Sequence, residues 1–256
     1  MPSHAIILMN SPELAPKAQA LAESLGLPVH TDIPDDASHA LHVSEDGLSL
    51  QVLKPTPMTP IQVDFCDPKQ AHRLKPQQWR QELIARACGF KQNREPRLLD
   101  ATGGFGEDAF VLASLGAHVT LLERAPIMHA LLADALEFAK RQNIPGAMRM
   151  QLKRADAREH LSTINDPYDV IFLDPMYPDP DKRALVKKRC RIIRDLVGDD
   201  HDADELLSLA LTKASRIVVK RPRLAPPLAN TPTKDSLAGK AVRFDIYFNP
   251  TLKEQP

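Results

Sequence analysis

Apolar and polar residues follow two different rhythms along this chain. Up to about residue 65 they form short runs that read as a strand at 4–9, a helix at about 12–25, and strands near 39–44, 48–53 and 61–65. Glu45-Asp46-Gly47 lies between two alternating runs and predicts a hairpin turn. Pro55, Pro57 and Pro60 then interrupt regular structure, so a boundary is expected within 54–72. A helix is predicted at about 77–88, with Trp79, Leu83, Ile84 and Ala87 at helical spacing and Gly89 at its C-terminal end. From residue 97 the pattern becomes strand–helix alternation. Strands are predicted at 97–100, 117–122, 148–153, 168–173, 215–220 and 242–248, and helices at 107–115, 126–141, about 156–163, 181–197 and 202–213. Such alternation predicts an α/β fold whose mostly parallel sheet is covered by helices on both faces. A small N-terminal α+β subdomain over 1–60 precedes this domain, which spans 61–256.

Composition narrows the class. The chain is 43% hydrophobic and 26% charged, as expected of a soluble globular protein. It has no run of about 18 apolar residues, so no membrane span is expected. Ala5–Met9 lacks a basic flank and is followed by Asn10-Ser11-Pro12-Glu13, which reads as a strand and not as a signal peptide. Cys66, Cys88 and Cys190 lie far apart with neither metal nor pairing spacing, which predicts no metal site and a reduced, cytoplasmic setting. The net charge is zero, but residues 1–70 hold three Lys, no Arg and nine Asp or Glu, a balance of −6 that leaves +6 on the remainder. This asymmetry allows a nucleic-acid partner that the total would argue against.

The segment Asp100-Ala101-Thr102-Gly103-Gly104-Phe105-Gly106-Glu107-Asp108 follows a predicted strand and opens a predicted helix. Ligands of open α/β sheets bind beyond the carboxyl ends of strands. Gly103, Gly104 and Gly106 let the backbone turn sharply and approach a ligand closely. The spacing is not that of a dinucleotide site. An acidic strand end followed by a tight Gly loop suits S-adenosylmethionine (SAM), which has no pyrophosphate to cradle; an unliganded Gly-rich turn is the alternative. Glu123 ends the next predicted strand, about 20 residues on, where a carboxylate can accept from both ribose hydroxyls of a nucleoside cofactor, SAM and NAD alike. Asp156, after the third strand, can accept from an adenine amine, cap the next helix, or do both.

The fourth strand runs into Asp174-Pro175-Met176-Tyr177-Pro178. This segment is similar to the Asp/Asn-Pro-Pro-Tyr/Phe motif of enzymes that methylate amines, with Met176 at the second Pro position. An aromatic exocyclic amine is planar and its lone pair is delocalised, so it is a poor nucleophile. Two fixed acceptors, the Asp174 carboxylate and the Pro175 carbonyl, can bind both N–H groups and favour pyramidalisation toward a methyl donor. Tyr177 can stack on the base, a contact worth roughly 1–3 kcal/mol. A Pro-rich loop whose Asp caps a helix is the alternative. The order Gly loop, acidic second strand end and Asp174 motif favours a class I SAM-dependent methyltransferase with a Rossmann-like sheet.

Residues 182–194 include seven basic residues and no acidic one, directly after the catalytic segment. Lys182, Arg183, Lys187, Lys188 and Arg189 are candidate phosphate contacts, with Lys220 and Arg221 at the end of the fifth strand and His72 and Arg73 further upstream. A solvated helix face is the alternative. A base in a duplex has to be unpaired or flipped before its amine can reach SAM.

From about Val63 to Phe248 the chain resembles the bacterial RsmJ family, which methylates guanine N2 in 16S ribosomal RNA. The resemblance lies in Val63-Asp64-Phe65, Ala71-His72-Arg73, Asp100-Ala101-Thr102, the Asp108–Ser114 segment, Leu122-Glu123-Arg124 and Asp174-Pro175-Met176-Tyr177-Pro178. It continues in Ala184-Leu185-Val186-Lys187-Lys188, Val218-Val219-Lys220-Arg221-Pro222, the Ala225–Asn230 segment and Arg243-Phe244-Asp245-Ile246-Tyr247. It implies guanine N2 as target, 16S ribosomal RNA or the small ribosomal subunit as partner, SAM as donor, and SAM contacts at Glu107, Asp108, Glu123, Arg124, Asp156, Ala157 and Asp174. Members often carry a basic residue at the position of Glu107 and hydroxyl residues at those of Asp156 and Ala157. Three alternatives stand beside this reading: N-methylation of a protein amide or small amine, against which the basic segment argues; a nicotinamide-dependent dehydrogenase, disfavoured by the Gly spacing and Asp174-Pro175-Met176-Tyr177; and a non-catalytic RNA-binding protein with a vestigial SAM fold.

Overall fold

The computed structural model describes residues 4–66, 79–175, 203–233 and 235–252. The first sheet contains β1 (Ala5–Met9), β2 (Val29–His30), β3 (His39–Ser44), β4 (Gly47–Val52) and β5 (Ile61–Gln62), in the order β2-β1-β3-β4-β5. β1 pairs in parallel with β2 and β3, and helix α1 (Ala15–Leu25) makes the first crossover. Gly26, in the left-handed region at φ 65°, ends α1. β3 and β4 form the expected hairpin across Glu45-Asp46, with Ser44 facing Gly47. The strand expected over 61–65 pairs with β4 only at Ile61 and Gln62; Val63 and Phe65 turn into the core instead.

Helix α2 (Leu83–Ala87) leads into the second sheet. It is shorter than the pattern suggests because Glu82 is extended (φ −91°, ψ 115°), and residues 77–78 lie outside the described residues. Trp79 is buried ahead of this break, with the guanidinium of Arg94 3.9 Å from its ring centroid. The second sheet comprises β6 (Arg97–Asp100), β7 (His118–Glu123), β8 (Met150–Arg154), β9 (Tyr168–Leu173), β10 (Ala214–Pro222), β11 (Asp235–Ala238) and β12 (Val242–Phe248). Its order is β11-β12-β10-β9-β6-β7-β8, parallel from β10 to β8 and antiparallel at β12 and β11. The connecting helices are α3 (Glu107–Ser114), α4 (Pro126–Arg141), α5 (Pro145–Met148), α6 (Ala157–Thr163) and α7 (Ala203–Ala210). The helix expected over 181–197 lies outside the described residues. Among the described residues, no helix is long and apolar enough to cross a membrane.

Strand pleating divides the core. Leu98, Phe172 and Val218 face a layer that includes α3, α4 and the first sheet. Their neighbours Leu99, Leu173 and Val219 face α6 and α7. Burial on both faces explains why the central strands read as continuous apolar runs. In α4, Ile127, Met128, Leu131, Leu132, Ala135, Leu136 and Ala139 form one buried stripe, and Pro126 suits the first turn, where its missing N–H costs nothing.

The first sheet docks on α4 through Asp134. Its Oδ2 accepts from the Leu48 backbone N–H at 2.7 Å, and its Oδ1 pairs with Lys17 at 2.6 Å. Replacing Asp134 with Ala leaves the Leu48 N–H without this acceptor and is expected to cost about 1–3 kcal/mol. Urea unfolding reads this as a lower midpoint; an unchanged midpoint shows that the contact does not hold the two sheets together.

Candidate active site

The strand order reverses direction between β6 and β9, and at such a switch point the loops after neighbouring strands leave in opposite directions and open a crevice. The Gly loop after β6 and the Asp174 segment after β9 flank that crevice. Thr102 ties them together. Its hydroxyl donates to Asp100 Oδ1 at 3.3 Å and accepts from the Asp174 backbone N–H at 2.7 Å, while its own N–H donates to Asp100 Oδ1 at 3.0 Å.

The loop lies against the end of β7. The Gly103 N–H donates to the Leu122 carbonyl at 3.0 Å, and the Gly106 N–H donates to the Gly103 carbonyl at 2.8 Å. Gly104 (φ 53°) and Gly106 (φ 69°) are left-handed, which explains glycine at both positions. Glu123 is buried at the end of β7, where its Oε2 accepts from the Gly104 N–H at 3.2 Å and its Oε1 from the Ala125 N–H at 2.7 Å. It therefore shapes the loop as well as standing where a ribose acceptor is expected.

Asp100 is 2% exposed, and burial pushes its carboxyl up to about 8. The Thr102 backbone N–H opposes that rise, and the charges of Asp108 and Asp174 add to it. The folded protein thus keeps a proton on Asp100 that the unfolded chain releases near pH 4. Stability should fall as pH rises from the ordinary carboxylate range to about 8, by up to about 1.4 kcal/mol per pH unit, and level off above. Urea unfolding between pH 5 and 9 should show this slope in the native sequence and its loss in Asp100→Asn; parallel curves for the two proteins rule it out.

Asp156 caps α6, accepting from the Arg158 N–H at 2.9 Å, and pairs with Arg124 at 3.4 Å. Burial alone would raise its carboxyl, but the bonds from Arg158 and Arg124 hold it below the usual carboxylate range. Ala157 is the first residue of α6, half-buried. Glu107 is exposed and Asp108 half-buried in the first turn of α3, where negative charge is favoured by the helix dipole. Asp174 is half-buried and Pro175 buried.

Two cations expected at RNA phosphates are bonded within the protein. Lys220 Nζ lies 2.6 Å from Asp108 Oδ2 and 2.9 Å from Asp174 Oδ2. Arg221 is buried, its Nε and Nη2 both 3.1 Å from the Pro226 carbonyl. Sheet pleating is the reason: successive residues of β10 point to opposite faces, and at this level each face offers acceptors within the protein. The remaining candidates His72, Arg73, Tyr177, Lys182, Arg183, Lys187, Lys188 and Arg189 lie outside the described residues. Thr102 was not singled out by the sequence reading. Its signal is a hydroxyl directly between an acidic strand end and the Gly loop.

Residues 20–249 match the family described as "Putative SAM-dependent methyltransferase". The chain is also 46% identical over 248 residues to ribosomal RNA small subunit methyltransferase J of Pseudomonas paraeruginosa, covering 95% of this chain and 94% of that one. It belongs to the methyltransferase J family. A second member, from Thioalkalivibrio sulfidiphilus, is 46% identical over 242 residues, with 93% of this chain and 94% of the relative covered. The crystal structure of a SAM-dependent methyltransferase from Neisseria gonorrhoeae superposes with a TM-score of 0.73 at 30% identity, covering 97% of each chain. As in the methyltransferase J family at large, SAM is the cofactor. The residues present suit it. A Cβ at Gly103 would fall 2.5 Å from the Leu122 carbonyl, so glycine there lets the loop pack tightly on β7 beside Glu123, and the carboxylates of Asp108 and Asp174 suit a ligand with a sulfonium and an ammonium group.

Proposed function

We propose that this enzyme transfers a methyl group from SAM to the exocyclic N2 amine of a guanine in the 16S ribosomal RNA of the small ribosomal subunit. The observation that carries the reading is the anchored Asp174-Pro175 segment beside the Gly loop, held by the Thr102 hydroxyl through its backbone and by Lys220 through its side chain. The printed name of the Pseudomonas and Thioalkalivibrio relatives supports the RNA class. The specific amine rests on the RsmJ resemblance and on the fit of two acceptors to a planar NH2.

In this reading Gly103, Gly104 and Gly106 receive the methionine end of the cofactor, and Glu123 and Asp156 its nucleoside end. SAM supplies a methyl group already activated on sulfur. The Asp174 carboxylate and the Pro175 carbonyl accept the two N–H bonds of guanine N2, and Tyr177 stacks on the base. When bound, SAM would supply the methyl for the new N–C bond to the amine held by Asp174 and Pro175, and would leave as a neutral thioether. Asp174 takes the proton released from N2. Most of the acceleration comes from alignment, because the protein itself adds no activated group. Lys182, Arg183, Lys187, Lys188 and Arg189 contact RNA phosphates, and the protein works in the cytoplasm on ribosomal RNA.

The test is transfer of tritiated methyl from SAM to small subunits from a strain lacking the enzyme. Label recovered as N2-methylguanosine supports the reading. Label in ribosomal protein instead would establish the protein-amide alternative.

A further inference from the structure

Lys220 is a basic side chain at the carboxyl edge of a sheet whose family partner is RNA, yet it points at carboxylates. β10 pairs in parallel with β9, with Val219 opposite Leu173, so Lys220 stands level with Asp174 one step beyond the last pair. Its Nζ bonds both Asp174 Oδ2 and Asp108 Oδ2. The two carboxylate oxygens are therefore no farther apart than these two short bonds laid end to end. Asp100 lies close enough to both for their charges to raise its carboxyl. Three acidic groups thus converge at the crevice, and Lys220 bonds two of them. Burial alone would lower the Lys220 ammonium, but Asp174 and then Asp108 outweigh it and hold it above the usual lysine range, so the charge is present at any working pH.

We infer that Lys220 is a positioning residue for methyl transfer: bridged to Asp108 on α3, it fixes the Asp174 carboxylate in the orientation that accepts the target amine. This rests on the proposed role of Asp174. Three physical points support it. A charge-assisted hydrogen bond is short and roughly twice as strong as a neutral one, so it restricts the carboxylate rotamer. Asp174 follows β9 and Asp108 lies in α3, just after the Gly loop, so one ammonium couples the substrate side of the crevice to the cofactor side. Without it, two like charges would face each other in a half-buried site and drive the Asp174 side chain away.

The experiment compares Lys220→Met with the double variant Asp108→Asn/Lys220→Met, using undermethylated small subunits. SAM affinity is read by calorimetry and folding by the thermal midpoint. Lys220→Met is expected to lower kcat at saturating SAM and RNA by about 10²-fold, the size expected of a misplacement near 1 Å. Its KM for RNA should change by less than about threefold, since Lys220 is not a phosphate contact. The double variant removes the opposed charge, so it should recover about tenfold of the lost kcat. A lysine that only supports the fold would give the opposite order, because the second substitution removes another partner. If Lys220→Met alone unfolds, the double variant should still fold and be the more active. The inference is overturned if Lys220→Met keeps kcat within threefold, if its loss lies in KM for RNA alone, or if the double variant is no better than the single. Native protein and Asp174→Ala are run alongside: native protein inactive on RNA would refute the proposed function itself, whereas an active native protein, an inactive Asp174→Ala and an unaffected Lys220→Met would refute the role of Lys220 alone.

Discussion

Asp174→Ala is expected to lower the rate of methyl transfer to small-subunit RNA by about 10³-fold at saturating SAM and RNA, close to 4 kcal/mol of transition-state stabilisation. The loss follows from what the carboxylate alone provides. The Asp174 backbone is held by the Thr102 hydroxyl at 2.7 Å, so the segment should stay in place when the side chain is removed. Lys220 keeps Asp108, and the buried Pro175 keeps its carbonyl. What disappears is one of the two acceptors that turn a planar amine into a nucleophile, and the group that takes its proton. KM for RNA should move by less than about threefold, because an interaction made mainly in the transition state lowers kcat and kcat/KM together. Asp174→Asn keeps one acceptor oxygen without the charge and should fall between the two. Single-turnover transfer with labelled SAM measures all three proteins. An Asp174→Ala enzyme within tenfold of the native rate would remove this residue from the chemistry.

Gly103→Ala should have the largest effect on cofactor binding. The added Cβ would sit 2.5 Å from the Leu122 carbonyl and 3.3 Å from Glu123 Oε2. Neither can yield easily. Leu122 is buried in β7 and paired with Lys153 of β8, and Glu123 is held by the N–H groups of Gly104 and Ala125. The loop must therefore lift off β7, which costs about 1–3 kcal/mol of strain and breaks the Gly103–Leu122 hydrogen bond. The Gly loop and Glu123 would lose their alignment together, so SAM affinity should drop by more than about tenfold. Calorimetric titration with SAM and a urea midpoint read both parts. Native affinity in a stable Gly103→Ala protein would mean that this loop does not hold the cofactor.

Much of the second sheet and its helices is legible in the sequence because burial on both faces leaves an unambiguous signal. The strands 97–100, 168–173 and 242–248 and the helix 126–141 form at the predicted residues. β11 was not anticipated: Asp235-Ser236-Leu237-Ala238 is mostly exposed and is a strand only because β12 offers it a ladder. β2 has just two residues, too few for any periodicity to register. The docking of the first sheet on α4 was equally hidden. It depends on Asp134 meeting Leu48 and Lys17, contacts far apart in sequence.

The site was legible in part for the same reason. The Gly loop, Glu123 and Asp174 announce themselves by their position after strands, and the fold gathers them at one edge. Lys220 was visible as a charge but not as a partner. Read alone it joins Arg221 and Arg223 in a basic cluster that suits RNA. Only the order β10-β9-β6 puts it beside Asp174, and only the pleat separates it from Arg221. A topology argument could have found it, since in a parallel sheet neighbouring strand ends adjoin. Asp156 shows the converse: the cap role was open in the sequence, and the Arg158 N–H at 2.9 Å shows that it does act as a cap.

A guanine NH2 held at Asp174 beside the Gly loop should receive one methyl group there. Mass mapping of 16S ribosomal RNA tests this most directly, using RNA from cells deleted for this gene before and after incubation with the purified enzyme and SAM. A single guanosine should gain one methyl mass on N2 with the native enzyme and none with Asp174→Ala. A map unchanged by the native enzyme, or a methyl found on a ring nitrogen, a ribose or another base, would contradict this.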